Sequence, residues 1–251
     1  MIIITDVHKV FEGQEVLRGV NLTIHGGELI AIIGKSGGGK SVLLKSIIGL
    51  QSPDTGSISF DGLDITRVNQ QQLNKVRERF GVLFQSGALF DSFTVYDNIA
   101  FPLRERYGLP EAEIKARVYD ALGEVGLKDV DNKYPAELSG GMKKRAALAR
   151  ALVTRPEIVF FDEPTTGLDP VLKNSIHKLI KQCHQNIGFT GIIISHEIPD
   201  IFYVADRVAM LHDGVIVQDG TPSEIINSQL PSVRAFVHAG NYEVAPSGGG
   251  E

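Results

Sequence analysis

The stretch Glu28–Leu50, "ELIAIIGKSGGGKSVLLKSIIGL", decides the fold. It is typical of a short apolar strand, a glycine-rich loop and an amphipathic helix, in that order. Within it, Gly34–Ser41 has the Gly-x-x-x-x-Gly-Lys-Ser spacing of a phosphate-binding loop. Glycines let consecutive backbone N–H groups turn inward around phosphate oxygens, and the helix N-terminus adds its positive dipole. The stretch therefore predicts a nucleotide-binding strand–loop–helix unit.

Two side chains of this loop carry specific expectations. Lys40 is expected to reach the β- and γ-phosphates as a point charge, and the Ser41 hydroxyl to bind Mg²⁺. Lys35 either adds positive charge near the phosphates or faces solvent. The alternative for the whole stretch is a strand-to-helix turn without a ligand, which the correct placement of strand and helix disfavours. The predicted nucleotide contacts are Gly34, Lys35, Ser36, Gly37, Gly38, Gly39, Lys40 and Ser41.

A pair of carboxylates ends the apolar run of "IVFFDEPTTGLD", Ile158–Asp169. In an open parallel sheet, the carboxyl ends of the strands face the ligand crevice. Asp162 is therefore expected near the serine of the phosphate loop, holding Mg²⁺ directly or through water. Glu163 is expected to polarise a water aimed at the γ-phosphate. The alternative is a pair that caps the next helix; the presence of the phosphate loop favours the catalytic interpretation.

Composition excludes several classes of protein. The chain has 251 residues and a net charge of −5, which gives no indication of nucleic-acid binding. Its single cysteine, Cys183, excludes an intrachain disulfide framework and fits a reducing compartment. No apolar run approaches the roughly 20 residues of a membrane-spanning helix. We therefore expect a membrane to be reached only through a partner.

A second helix start is unusual in its charge. In "AELSGGMKKRAALARAL", Ala136–Leu152, a Ser-Gly-Gly turn is followed at once by Lys143, Lys144 and Arg145. Cations are unfavourable at a helix N-terminus, where the macrodipole is already positive. We interpret this end as facing an anion that its own chain does not supply.

These motifs, in this order, resemble the nucleotide-binding subunit of ABC transporters over residues 2–228. The resemblance implies an α/β fold: a P-loop NTPase (RecA-like) core with an N-terminal antiparallel β subdomain and an inserted α-helical subdomain. Residues 1–240 would form one ATPase domain. Its core would comprise 1–85 and 154–228, and its helical signature subdomain 86–153. Residues 229–251 would be a C-terminal extension ending in a disordered tail.

The resemblance also implies roles for single residues, with ATP and Mg²⁺ as cofactors. Each match has an alternative: an apolar core position for Phe11, an exposed strand end for Gln85, and helix caps for His196 and Asp169. The implied set is Phe11 stacking on adenine; Gln85 touching ATP and Mg²⁺; Glu163, His196 and Lys40 as catalytic residues; Ser41, Gln85 and Asp162 at the metal; Asp169 in the D-loop at the dimer interface; and Ser139, Gly140 and Gly141 binding the γ-phosphate of a second copy in trans.

Within this family, the chain is similar to ATPases of the maintenance-of-lipid-asymmetry (Mla) phospholipid transport systems. The residues that carry this likeness are "GALFDS" at 87–92, Met142 in place of the usual glutamine, and "LPSVRAFVHAG" at 230–240. The likeness implies a homodimer with an MlaE-like permease, an MlaD-like lipid-binding protein and an MlaB-like regulatory subunit. It would lie at the cytoplasmic face of the inner membrane, bound through partners, with no nucleic acid. Glu197 departs from the aspartate more usual after the switch histidine, a change we expect to matter little.

Three other functions stay open at this point. One is an ABC importer ATPase for another solute, whose site chemistry would be identical. Another is a soluble ABC-type ATPase acting on nucleic acid or ribosomes, disfavoured because the chain has no basic stripe. A P-loop kinase is disfavoured because Ser139–Gly141 would have no role. Separately, residues 230–240 either dock on the dimer partner through Val233, Phe236 and Val237, or pack on their own domain.

Overall fold

The computed structural model describes residues 1–239. Two sheets and eight α-helices make up these residues, with two short 3-10 turns at Pro135–Glu137 and Asp200–Tyr203. The strands are β1 (Ile2–Phe11), β2 (Gln14–Ile24), β3 (Leu29–Ile33), β4 (Thr55–Phe60), β5 (Leu63–Asp64), β6 (Phe80–Leu83), β7 (Ile158–Asp162), β8 (Thr190–Ser195), β9 (Arg207–His212) and β10 (Val215–Gly220). The helices are α1 (Lys40–Ile47), α2 (Gln70–Arg77), α3 (Val95–Tyr107), α4 (Glu111–Glu124), α5 (Gly140–Leu152), α6 (Pro170–Ile187), α7 (Pro222–Ile226) and α8 (Pro231–Ala239).

The central sheet has six strands in the order β10-β9-β3-β8-β7-β6. Strands β9, β3, β8, β7 and β6 run parallel, and β10 pairs antiparallel with β9. Continuous apolar runs form the middle strands because a parallel sheet is covered on both faces. All five residues of β3 are buried, as are the first four of β7.

Alternate residues of these strands feed two separate cores. Ala31 and Phe161 point to the face covered by α3–α6, whereas Ile32 and Phe160 point to the face covered by α1 and the second sheet. This alternation follows from the two-residue period of a strand. The sheet therefore packs between two apolar layers, and this packing fixes the positions of its strand ends.

The second sheet is antiparallel, with the strand order β2-β1-β4-β5. Its inward residues, Ile4, Val20 and Ile58 among them, are fully or almost fully buried in the core that also contains α1. The fold class predicted from the sequence is confirmed: an α/β parallel core with an N-terminal antiparallel sheet and helices α3–α5 between β6 and β7. The subdomain boundaries at residues 85/86 and 153/154 stay a prediction.

The C-terminal helix α8 packs on its own chain. Val233 is completely buried, and Phe236 and Val237 are at most 9% exposed. All three belong to the same apolar core as the helices α3–α6. The expectation that these side chains dock on a dimer partner is therefore wrong, because their apolar surface is already covered. Residue 240 and the tail that follows it lie outside the described residues.

None of the helices within residues 1–239 combines the length and the apolar character needed to cross a membrane.

Candidate functional site

The residues singled out in the sequence follow the carboxyl ends of four adjacent parallel strands. The phosphate loop follows β3, Gln85 follows β6, Glu163 follows β7 and His196 follows β8. Strand register places these ends side by side: Ile33 pairs with Ser195, and Asp162 with Ile194. The crevice outside the carboxyl ends of such strands is where open α/β sheets bind ligands.

Gly34 begins the phosphate loop with a φ of 153°, in the region that favours glycine. A Cβ at this position would lie 2.2 Å from the carbonyl oxygen of Leu211 at the end of β9, so any larger residue would displace the strand. Further along, Lys35, Ser36 and Gly37 are exposed, Gly38 is half-buried and Gly39 is buried. The loop is thus tightly packed where it follows β3, and its middle residues are exposed.

Lys40 folds back over the loop that precedes it. Its ammonium group donates to the carbonyl oxygens of Gly34 at 2.8 Å and Lys35 at 2.9 Å, and the residue is only 4% exposed. Burial lowers the pKa of Lys40, while the carboxylates of Glu163 and Asp162 act in the opposite direction. An ammonium group has three N–H donors, so one is left for an anion in the loop.

Ser41 and Asp162 join the phosphate loop to β7. The Ser41 hydroxyl donates to Asp162 Oδ1 at 3.3 Å. Burial raises the pKa of Asp162, and the neighbouring charge of Glu163 adds to the rise. No cluster of three or more His, Cys, Asp or Glu side chains suited to a metal occurs in the described part of the chain. One hydroxyl and one carboxylate fit Mg²⁺, which keeps several waters and takes phosphate oxygens as further ligands.

Three donors hold the Glu163 carboxylate. Gln85 Nε2 lies 3.0 Å and the Thr166 hydroxyl 3.1 Å from Oε2, while His196 Nδ1 lies 3.0 Å from Oε1. The Glu163 backbone has a φ of 46°, which is uncommon for a residue with a side chain, and its N–H donates to Ile194 O at 3.1 Å. Strained backbone of this kind clusters at functional sites. The structure thus brings Gln85, Glu163 and His196 together.

The cations of α5 bind acceptors within their own chain. Lys144, 7% exposed, donates to the carbonyl oxygen of Gln85. Arg145 donates to Val125 O at 2.6 Å and to the Ser175 hydroxyl at 2.8 Å. The interpretation that these charges wait for an outside anion is therefore wrong for Lys144 and Arg145. Their long side chains lead the charge away from the helix end.

Farther along α5, Arg150 holds the chain that follows Gln85. Its guanidinium donates to Gly87 O at 2.8 Å and Ala88 O at 2.7 Å. Together with Lys144, it ties the segment 85–88 to α5. Spacing alone could not reveal these bonds, because each joins residues 59 or more positions apart. The signal available in the sequence was the spacing of Lys144 at one helical turn from Ala147 and Leu148 and two turns from Ala151, which places a lysine on an apolar helix face.

The N-terminal end of α5 is exposed at Ser139 and Gly140. The Ser139 hydroxyl caps the helix by accepting from Met142 N at 3.3 Å. Within residues 1–239, no hydrogen bond or ion pair joins Ser139–Gly141 to the phosphate loop. The predicted contact of these residues with the γ-phosphate of a second chain stays a prediction.

Helix α6 begins beside α5. Asp169 caps it by accepting from Val171 N and Leu172 N, both at 3.0 Å, so the predicted capping role is present. A Cβ on Gly141 would lie 3.2 Å from a methyl group of Leu172. The two helix starts thus pack closely and form one surface. The D-loop role of Asp169 at a dimer interface stays a prediction.

Phe11 ends β1 on the antiparallel sheet, and it is 40% exposed. The ammonium group of Lys9 lies 5.6 Å from the centre of its ring. The alternative of a core position is therefore excluded, because a core ring would be covered. Stacking of this ring on adenine stays a prediction.

A family model described as "ABC transporter" matches residues 17–166. This chain belongs to the ABC transporter family. It is 43% identical over 218 residues to the intermembrane phospholipid transport system ATP-binding protein MlaF of Haemophilus influenzae, covering 87% of this chain and 83% of that protein. It is 45% identical over 230 residues to the probable ribonucleotide transport ATP-binding protein mkl of Mycobacterium tuberculosis, covering 92% of this chain. The chain spans 64% of the length of that mycobacterial relative.

Other members of the ABC transporter family are similar to a comparable degree. The methionine import ATP-binding protein MetN of Carboxydothermus hydrogenoformans is 41% identical over 242 residues, covering 95% of this chain and 72% of that protein. Among solved structures, the dimeric cassette MJ0796 superposes with a TM-score of 0.81 at 30% identity, covering 88% of this chain and 99% of that one. The cassette cbiO1 of Clostridium perfringens gives 0.83 at 32% identity, covering 94% and 98%. The family is thus shown, and the transported solute differs among relatives.

Proposed function

We propose that this protein is the ATP-hydrolysing subunit of an ABC transporter and works as a head-to-tail homodimer. The observation that carries the proposal is the Glu163 carboxylate, held by three donors beside the phosphate loop. A solved cassette of similar fold is described as a dimer in a post-hydrolysis state bound to ADP and phosphate. In such a site, catalysis consists of positioning the water and stabilising phosphate charge.

The roles of the residues follow from their hydrogen bonds. Lys40 would direct its third N–H to the phosphates, while its other two keep the loop closed. Ser41 and Asp162 would hold Mg²⁺, which supplies positive charge against the phosphate oxygens. Glu163 would orient the attacking water and accept its proton, and His196 would steady the carboxylate.

Glu163→Gln tests hydrolysis directly. The amide keeps the shape but cannot act as a base, so turnover should fall about 10²- to 10⁴-fold with ATP binding retained. Phosphate release and equilibrium binding of ATP measure the two effects. Glu105→Gln, an exposed glutamate on α3, is the matched control and should keep full turnover. Fast hydrolysis by Glu163→Gln would remove the role assigned to that carboxylate.

A groove beside the segment 85–90 is the surface we propose for the permease. Its volume is about 470 Å³, and four aromatic rings, Phe80, Phe84, Phe90 and Phe101, line it. Arg77, Arg106 and Arg150 lie around the same groove. Apolar walls with a basic rim fit a short amphipathic helix that carries acidic side chains. The groove adjoins Gln85, which contacts Glu163. A partner docked in the groove could therefore influence the position of Gln85 at the ATP site.

We further propose that the transported solute is phospholipid, in a complex of the Mla type. The likeness to MlaF, at 41–43% identity over 87% of this chain, supports this assignment. The partners would be an MlaE-like permease, an MlaD-like lipid-binding protein and an MlaB-like subunit. The ATPase would lie at the cytoplasmic face of the inner membrane, bound through them. An importer for another solute is the second candidate, favoured by the similar identity to MetN.

Co-purification separates the two candidates. The full chain is co-expressed with its membrane partners, reconstituted in phospholipid vesicles, and assayed for ATPase activity and bound lipid by mass spectrometry. A phospholipid transporter should retain phospholipid after detergent exchange and show turnover that depends on it. The Glu163→Gln complex is the control for activity that does not come from this chain. Stimulation by methionine or another small solute instead of lipid would favour the importer.

A further inference from the structure

Glu197 lies next to the site, is held in place through both of its carboxylate oxygens, and is not used by the proposed mechanism. Its Oε1 accepts from the Lys173 ammonium group at 2.6 Å, and its Oε2 from the Thr165 hydroxyl at 2.7 Å. Its backbone N–H donates to the Ser195 hydroxyl at 3.0 Å. The side chain is only 14% exposed. These bonds occupy both carboxylate oxygens and fix the residue in place.

Glu197 links the loop after β8 to the loop after β7, and the same two loops are also in contact at the candidate site. Thr165 lies two residues after Glu163, and Glu197 directly follows His196. The loop after β7 and the loop after β8 are therefore linked twice. One link is the Glu163–His196 contact at 3.0 Å, and the other is the Thr165–Glu197 bond at 2.7 Å. The second link is more buried, since Thr165 is 1% exposed.

A third element, α6, anchors this second link. Lys173 stands on the first turn of α6, one turn beyond the capping residue Asp169. His177, one turn further, places Nε2 3.5 Å from the Thr165 hydroxyl. Since that hydroxyl donates its hydrogen to Glu197, it can only accept from His177, which requires the Nε2–H tautomer. This fits Nδ1, the buried nitrogen of His177 for which no partner is present in the described residues.

The pKa shifts favour a charged Glu197 and a neutral His177. Burial favours the neutral acid at Glu197, but the hydrogen bonds from Lys173 and Thr165 outweigh it and hold the pKa of Glu197 below its usual range. Burial lowers the pKa of His177, which keeps that imidazole neutral. The result is one carboxylate–ammonium pair with a neutral hydroxyl and imidazole behind it.

We propose that Glu197 is a positioning residue: with Lys173 and Thr165 it holds the loops of Glu163 and His196 in register for hydrolysis and ties them to the start of α6. The inference rests on the proposed ATPase function. The longer arm of glutamate matters here, because it spans from the β8 loop to two separate elements. The expectation that glutamate in this position matters little stays untested, and the proposed role gives it a direct test. Among residues 1–239, no hydrogen bond joins Glu197, Lys173 or Thr165 to the phosphate loop, so we expect ATP binding to be retained when this network is broken.

The test compares turnover with binding in the purified full chain. Glu197→Gln keeps the shape and an acceptor for Thr165 but loses the charge that Lys173 needs, and Lys173→Met removes the partner. Each should lower kcat about tenfold, because small displacements of catalytic groups are costly, and leave the ATP Kd within about twofold. Lys173→Arg should restore most of kcat. The double variant should lose no more than about twofold beyond either single, because both remove one contact.

Lys178→Met, an exposed lysine on the same helix, is the matched control and should keep full kcat. Wild-type kcat in both single variants, fully additive losses, or equal losses of kcat and ATP affinity would overturn the inference. If Glu197→Gln does not fold, the kcat and Kd of Lys173→Met decide. The proposed function is tested separately: an inactive Glu163→Gln with unchanged Glu197→Gln rejects only the positioning role, full activity of Glu163→Gln rejects the role of that carboxylate, and a wild-type chain that does not hydrolyse ATP rejects the ATPase assignment itself.

Discussion

At the scale of single residues, the number of hydrogen bonds that a group can still make decides its role. The ammonium group of Lys40 uses two of its three N–H donors to bind carbonyl oxygens of its own loop, at 2.8 and 2.9 Å. Because Lys40 is buried and has no ion-pair partner at bonding distance among residues 1–239, an anion that enters the loop would be favoured. Lys35, five positions earlier, is exposed and contributes its carbonyl oxygen instead.

This difference gives a paired prediction. Lys40→Met should weaken ATP binding at least about tenfold, because it removes both the phosphate contact and two bonds that close the loop. Lys35→Met should leave the ATP Kd within about twofold, since its bond to Lys40 runs through the main chain. Equilibrium binding of a fluorescent ATP analogue measures both. An equal loss in the two variants would place the Lys35 side chain on the nucleotide.

The sequence predicted the residues of the site better than the bonds among them. The spacing in Gly34–Ser41 and the pair Asp162–Glu163 were enough to place the phosphate loop and carboxylates at strand ends. The donors from Lys144 and Lys173 were not predictable, because their acceptors lie 59 and 24 positions away in the chain. Local sequence patterns indicate which strand end a site residue follows. Tertiary packing determines which long side chain from another element binds that residue.

At the scale of elements, helices α5 and α6 present their N-terminal ends together. Ser139 and Asp169 cap these ends, and Gly141 allows the close approach of Leu172. Exposed N–H groups at a helix N-terminus favour an anion. The exposure of Ser139 and Gly140 agrees with a contact made to the nucleotide of another chain.

Two substitutions of Ser139 separate its roles. Ser139→Ala removes the cap and the hydroxyl of the proposed phosphate contact but adds no bulk, so it should cost about 1 kcal/mol of stability and lower turnover less than the arginine variant does. Ser139→Arg adds bulk at the proposed interface and should lower ATP hydrolysis more than about tenfold, because catalysis requires near-ideal placement of the phosphate. Thermal unfolding and phosphate release measure the two effects, with ATP binding as the reference. An active Ser139→Arg variant would contradict the trans contact.

Because the apolar face of α8 packs on its own chain, we expect substitutions there to change the stability of the fold and not dimerisation. Phe236→Ala removes a buried ring and should lower the free energy of unfolding by about 3 kcal/mol. Arg234→Ala, exposed on the same helix, is the control and should change it by less than about 0.5 kcal/mol. Denaturant unfolding measures both. A Phe236→Ala variant that is fully stable but fails to dimerise would reinstate the interface role that the structure argues against.

At the scale of the whole molecule, the proposed ATP site is a composite of two chains. One chain supplies the phosphate loop and Glu163, and the other supplies the end of α5. A two-fold axis then creates two equal sites, since each chain gives both halves once. The fold of the single chain was predictable because its strands and motifs lie in an ordered series. The assembly was expected only from the family resemblance, because an exposed helix end has the same sequence with or without a partner.

Mixing two inactive variants tests the composite site. Lys40→Met damages the phosphate loop and Ser139→Arg the end of α5, so a mixed dimer keeps one site with both halves intact. Equal amounts should recover about a quarter of wild-type turnover, because about half of the dimers are mixed and each has one good site. Phosphate release of the mixture is compared with each variant alone. Turnover no higher than the average of the two would contradict two independently working composite sites.

The bonds of Lys144 and Arg150 to the segment 85–88 have a consequence for recombination between homologous cassettes. The helix and the segment are far apart in sequence, yet the donors of one satisfy the carbonyl oxygens of the other. A crossover that exchanged α5 for a helix without these two side chains would leave the carbonyls without donors, a penalty of about 1–3 kcal/mol for each that is buried. The segment 85–88 and α5 should therefore be inherited together, and crossovers that separate the segment from its donors should be counter-selected.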